Sequence, residues 1–107
     1  MVMVKRFDVW LVDLNPAQGR EINNTQLCIV ISPNEMSALS TLIMAPMTTK
    51  GVELPFRIRC RFKGKSGLIL LDQIRSVDKS SLVKRLGAIS GKTQTELCSC
   101  LQEMFEH

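Results

Sequence analysis

The chain has 107 residues, 45% apolar and 22% charged, which is enough for one domain with one core and too apolar for a disordered chain. Fourteen Lys and Arg against ten Asp and Glu give a net charge of +4, a mild lean toward a polyanionic partner. No apolar run approaches the roughly 20 residues of a membrane span. The start, MVMVKRFDVW, lacks the basic-then-apolar order of a secretory leader, so the expectation is a single domain over residues 1–107, cytoplasmic and without a membrane partner.

Phe7 to Leu14 (FDVWLVDL) is rich in β-formers and predicts a strand, ended by Asn15-Pro16 because proline cannot continue a ladder. Ala17 to Gln26 reads as a polar loop. Leu27 to Ser32 (LCIVIS) is an apolar run short enough for a buried strand, closed by Pro33, with a short helical turn and loop over Asn34 to Ser40. Thr41 to Met47 predicts a third strand and Thr48-Thr49-Lys50-Gly51 a polar loop. In Pro55 to Phe62 (PFRIRCRF) the alternation is strict: Phe56, Ile58, Cys60 and Phe62 face one way and Arg57, Arg59 and Arg61 the other, so one face meets the core and the other water. Lys63 to Gly67 predicts a turn, and Leu68 to Leu71 a buried strand running into Asp72-Gln73-Ile74-Arg75-Ser76-Val77.

Asp78 can cap a short helix over Lys79 to Leu86, with Gly87 as its terminator. A last helix starts near Thr93, which has capping-box spacing to Glu96, and buries a stripe of Leu97, Leu101, Met104 and Phe105. Short strands and turns followed by a helix predict a mainly β (α+β) fold, a small barrel or rolled sheet with helices packed on it.

Cys28 and Cys60 lie in apolar strand-like runs, where thiols act as small hydrophobes. Cys98 and Cys100 point to different faces of a helix, and the single histidine is His107, so the ligand set for a metal is missing. The same shortage of histidine excludes a nucleophile–histidine triad, and no Walker or GxGxxG loop is present. One reaction stays open to such a chain. RNA carries its own nucleophile, the 2′-hydroxyl, and a protein has only to orient it, move protons and stabilise charge on the phosphate.

Three polar strand-end loops can supply those groups: Gly19, Arg20, Glu21 and Thr25; then Thr48 and Thr49; then Asp72, Gln73 and Arg75. Each has a plainer reading. Thr48-Thr49 and Asp72 are also ordinary turn residues, the arginine face of PFRIRCRF is also an ordinary solvated face, and Trp10, which can stack on a base, suits a core strand better.

Taken in order, FDVWLVDLNPAQGREI, TQLCIVISP, APMTT and LILLDQIRSVDK resemble the MazF/PemK family of toxin endoribonucleases, over roughly residues 6 to 105. The resemblance implies an SH3-like small barrel of about five to seven strands with a C-terminal helix and one or two short helices. It implies a homodimer that binds single-stranded RNA in a groove along its interface and cleaves it without metal or cofactor, leaving a 2′,3′-cyclic phosphate. It further implies a cognate antitoxin whose acidic, disordered tail fills the same groove. Thr48 matches the family's catalytic threonine and Asp72 an acidic position tied to catalysis or RNA contact. Gln73 and Arg75 continue that segment. Gly19 and Glu21 match the loop over the active site, where Arg20, Thr25 and Thr49 join the expected RNA contacts.

The departure is Gln26-Leu27, where the family has Arg-Pro and the arginine is its principal catalytic residue. Glutamine donates a hydrogen bond without charge, and losing one charged phosphate stabiliser from a preorganised site costs on the order of 10²- to 10³-fold. Three alternatives follow: an endoribonuclease attenuated at Gln26 or rerouted through Arg20, an inactive member that binds RNA or antitoxin, and a gyrase-directed toxin of related fold.

Overall fold

The computed structural model describes residues 3–14 and 25–107. Within them, β-branched and aromatic residues at period two lay down seven strands. These are β1 (Asp8–Asp13), β2 (Thr25–Val30), β3 (Thr41–Thr48), β4 (Arg57–Phe62), β5 (Lys65–Leu70), β6 (Arg75–Asp78) and β7 (Leu82–Ala88), followed by one helix, α1 (Gly91–Met104). All pairs are antiparallel, in the order β4-β5-β3-β2-β1-β7, with β6 also on β3.

Strand β3 organises the sheet because it changes partner along its length. One edge pairs with β2, from Cys28 opposite Pro46 to Val30 opposite Met44. On the other edge Thr41 to Met44 pair with β6, and Met47 and Thr48 then pair with β5. The change falls at Ala45-Pro46, and proline has no N–H to leave unpaired at such a junction. The outer strands β4 and β7 curl toward each other. Gly87, at φ 151°, would place a Cβ 3.2 Å from the Phe62 ring, so only glycine lets that ring close over the strand. The result is the expected mainly β architecture, a curled half-barrel with a C-terminal helix.

The core lies on both faces of the sheet. One cluster, including Val9, Ile29, Met47, Ile69 and Leu71, is covered by α1 through fully buried Leu97 with Leu101 and Met104 beside it. The other gathers Trp10, Val12, Cys28, Val30 and Met44, closed by Val4 and Val77. Trp10 is therefore a core residue, as its apolar strand suggested. Burial pushes the Cys28 thiol up to about 11 and raises the Cys60 thiol as well, so both stay protonated at neutral pH. No helix among the described residues is long and apolar enough to cross a membrane.

Several expectations are corrected. The helix expected over Lys79 to Leu86 is a single 3-10 turn, Lys79–Ser81, followed by β7. Asp78 does cap that turn, accepting the Ser80 N–H at 2.9 Å. The unpaired edge of β1 then takes the following residues as a ladder, and tertiary pairing overrides the local helix signal. Helix α1 starts two residues earlier than Thr93. Ser90 is its cap, and Thr93 supplies the N–H that Ser90 Oγ accepts at 3.3 Å. Phe105, placed on the buried stripe, is the exposed C-cap residue. Phe56, placed with the core face of β4, lies outside the strand in a turn at φ 68°. The turn expected over Lys63 to Gly67 shrinks to Lys63-Gly64, and the segment after Asp72 contributes β6.

Candidate active site

Alternation along β2 and β3 puts Gln26 on the same face as Cys28, and Thr48 on the same face as Met44, so both extend the second core cluster outward to the rim of the sheet. The Gln26 amide Nε2 donates to the Met47 C=O at 2.7 Å, which holds it beside Thr48. Thr48 Oγ1 accepts the Lys50 N–H at 3.1 Å, leaving its own hydroxyl proton to be donated outward. Gly67 of β5 packs directly behind: a Cβ there would sit 2.8 Å from the Thr48 carbonyl oxygen. Arg75, opposite Met44 on β6, belongs to the same face, and its positive charge partly offsets the burial that raises Cys28.

Thr48 and Thr49 line an open cleft of about 330 Å³ whose other wall is the β4–β5 hairpin, with Gly51, Arg59, Arg61 and Ser66. The hairpin is strongly basic. Arg61, Lys63 and Lys65 are exposed, and Arg59 pairs with Glu53 at the surface.

Asp72 sits on a 3-10 turn, Leu71–Gln73, that ends β5. Its carboxylate is gripped by a fork. Arg57 Nε donates to Oδ1 at 3.1 Å and Nη2 to Oδ2 at 3.0 Å, while Nη1 donates to the Val52 C=O at 3.0 Å. These hydrogen bonds hold the Asp72 carboxyl below its ordinary value and push the Arg57 guanidinium up. Asp72 is therefore ionised and an acceptor, unsuited to donating a proton. Arg57 links the Asp72 turn to the loop that follows Thr48. It was read only as part of a solvated strand face. The signal that finds it is the ladder itself, which pairs Arg57 with Leu70, two residues before Asp72.

Of the sequence-derived candidates, Thr48 and Thr49 line the cleft, Gln26 is anchored to the Met47 carbonyl, Arg75 lies on the Thr48 face of the sheet opposite Met44, and Asp72 and Gln73 share the turn that ends β5. Thr25 lies half-buried at the start of β2, opposite Asp13. Gly19, Arg20 and Glu21 lie outside the described residues. Among the described residues no group of three or more His, Cys, Asp and Glu could hold a metal ion. The chemistry on offer is a hydroxyl and an amide beside a basic wall, a set that binds and polarises an anion.

Comparison with known proteins identifies the chain's relatives. An Endoribonuclease MazF from Staphylococcus epidermidis is 29% identical over 106 residues, covering 92% of this chain and 88% of the relative. Another, from Staphylococcus saprophyticus subsp. saprophyticus, is 32% identical over 102 residues, covering 89% and 85%. A solved endoribonuclease in complex with its cognate antitoxin, from a mycobacterial species, superposes with a TM-score of 0.79 over 94% of this chain and 93% of that one. At 17% identity that likeness speaks to the fold. Residues 5–105 match the family described as the PemK-like, MazF-like toxin of type II toxin-antitoxin systems, and the chain belongs to that family.

Proposed function

We propose that this chain cleaves single-stranded RNA, as the toxin of a toxin–antitoxin pair, by presenting the scissile phosphate to Thr48. The observation that carries the reading is the Thr48 hydroxyl on one lip of a cleft whose opposite wall bears Arg59 and Arg61, with the Gln26 amide anchored to the carbonyl of the preceding residue, Met47. In this reading Thr48 donates to a phosphate oxygen and Gln26 adds its remaining N–H. Arg75 and the β4–β5 hairpin hold flanking phosphates, and the RNA's 2′-hydroxyl attacks the phosphorus without a metal; it loses its proton as the P–O5′ bond breaks, and the departing 5′-oxygen takes up a proton, leaving a 2′,3′-cyclic phosphate. Thr49 and Gln73 contact the strand on either side. Thr25, Gly19, Arg20 and Glu21 add further RNA contacts in this reading. Asp72 acts through Arg57, fixing the floor on which the phosphate rests. The chain works as a cytoplasmic homodimer, and an antitoxin with an acidic tail silences it by occupying the same basic surface.

Turnover is slow in this reading. One Gln26 N–H is spent on the Met47 carbonyl and the side chain has no charge, so the rate falls on the order of 10²- to 10³-fold below a site with a guanidinium there. That hydrogen bond also favours a second reading, a member that binds RNA or antitoxin without cutting.

Incubation of the chain with single-stranded RNA in EDTA, beside Gln26→Arg and Thr48→Ala, separates the two. Slow cleavage by the parent, faster by Gln26→Arg and lost in Thr48→Ala, supports the enzyme. Cleavage by Gln26→Arg alone supports the binder, and cleavage by none of the three sinks the ribonuclease reading.

A further inference from the structure

Phe56 adopts a backbone conformation that bulky residues avoid. It is third in the reverse turn Leu54-Pro55-Phe56-Arg57, closed by the Arg57 N–H donating to the Leu54 C=O at 3.2 Å. With proline second and φ at 68° third, this is the turn in which the third place ordinarily falls to glycine or asparagine. Core packing does not offset the strain. The ring is 37% exposed and belongs to neither core cluster. Strain kept for an exposed ring points toward function rather than stability.

The turn is held firmly from both sides. The Phe56 C=O accepts the Leu71 N–H at 3.1 Å, and the next residue, Arg57, forks onto Asp72 and the Val52 carbonyl. The Phe56 backbone is therefore tied to the Leu71–Gln73 turn, on which Gln73 is exposed. Val52 and Leu54, 70% and 49% exposed, extend the apolar surface of the same loop. Phe105 is also exposed, but it ends α1; Phe56 is the exposed ring tied to the turn that carries Asp72.

We propose that Phe56 is a base-stacking platform, its ring taking the face of an unpaired nucleobase while the Gln73 amide reads that base's edge. The inference rests on the RNA-cleaving reading above and adds a specificity pocket to it. A ring flanked by apolar side chains accepts the flat face of any base, and an amide with both donor and acceptor then selects among edges. Such a site requires a single-stranded partner, because duplex bases hide their faces. It recognises the nucleotide that lies over the Asp72 turn rather than the phosphate held at Thr48.

The test uses the full chain and a single-stranded oligonucleotide with 2′-O-methyl riboses, which binds but cannot be cut. Phe56→Trp places a fluorophore on the turn, and Trp10, buried in the core, supplies a constant background. The added emission is quenched when the oligonucleotide binds, and affinity is kept. Phe56→Gly relieves the positive φ while removing the ring, so it folds at least as well as the parent. Its affinity falls roughly 5- to 100-fold with an unchanged salt dependence, since stacking releases no counterions. Gln73→Ala weakens the preference among bases at one nucleotide, with a smaller loss of affinity. Binding without quenching, with Phe56→Gly as tight as the parent, overturns the platform and leaves the RNA reading standing. No binding by the parent overturns both. Quenching by an acidic peptide and not by the oligonucleotide also overturns it, and assigns the ring to a protein partner.

Discussion

On the α1 side of the sheet, Val9, Ile29, Ile69 and Leu97 are fully buried, and the face is sealed by a helix. On the opposite side, Val12, Cys28 and Met44 are as deeply buried, yet the same alternation carries that face out to Gln26, Thr48 and Arg75 at its edge. The difference lies where β2 and β6 begin and where β3 ends. Polar residues placed at those ends stay half-wet, so they add no buried unpaired groups to the core, while the rigid ladder beneath fixes their spacing. The sealed face provides stability, and the open face uses that stability to hold a site.

If that division is right, substitutions on the two faces separate cleanly. The largest effect on stability comes from Leu97→Ala, which opens a cavity under α1 and costs about 2–5 kcal/mol by urea unfolding. Asp8→Ala comes next. Buried Asp8 accepts the Lys5 N–H at 2.9 Å and Arg85 Nη2 at 3.1 Å, and losing a charged acceptor from such a pair costs about 1.5–3 kcal/mol in the same measurement.

A smaller effect is read in acid. The folded pKa values of Asp72 and Asp78 lie below their ordinary 3.8, so their stabilisation is complete above that pH and disappears as pH falls through the folded values. Asp72→Asn therefore flattens the decline in the unfolding midpoint between about pH 5 and pH 2. It also slows any RNA cleavage by loosening Arg57. Smallest is Arg59→Ala, which breaks an exposed pair with Glu53 and leaves the melting temperature unchanged. If Arg59→Ala unfolds the chain, the hairpin belongs to the sealed core and the division fails.

The sequence carried the strands that alternate or run apolar, because period two is a local signal. It also carried Thr48, which ends such a strand. It misassigned β7, since Asp78 and Gly87 are equally good punctuation for a helix and for a turn followed by a strand. Only the open edge of β1, some 80 residues earlier by register (Asp8 opposite Ala88), decides between them. Phe56 failed for a related reason. The alternation of PFRIRCRF runs through it, but the turn at Pro55 breaks the pleat one residue before β4 begins. The Arg57–Asp72 fork spans 15 residues and depends on the β4–β5 register, which no local pattern encodes. Gln26 was legible as a departure from Arg, whereas its engagement with the Met47 carbonyl was not.

Gly67 has no chemistry of its own, yet any side chain there would drive a carbon into the carbonyl oxygen of Thr48. The candidate site thus has a point of failure on a neighbouring strand, at a residue that touches no substrate. In a selection for cells that survive expression of a fast-cutting Gln26→Arg chain, escape mutations would gather at Gly67 as well as at Thr48. Those at Gly67 would disarm the protein through its backbone while leaving every functional side chain in place.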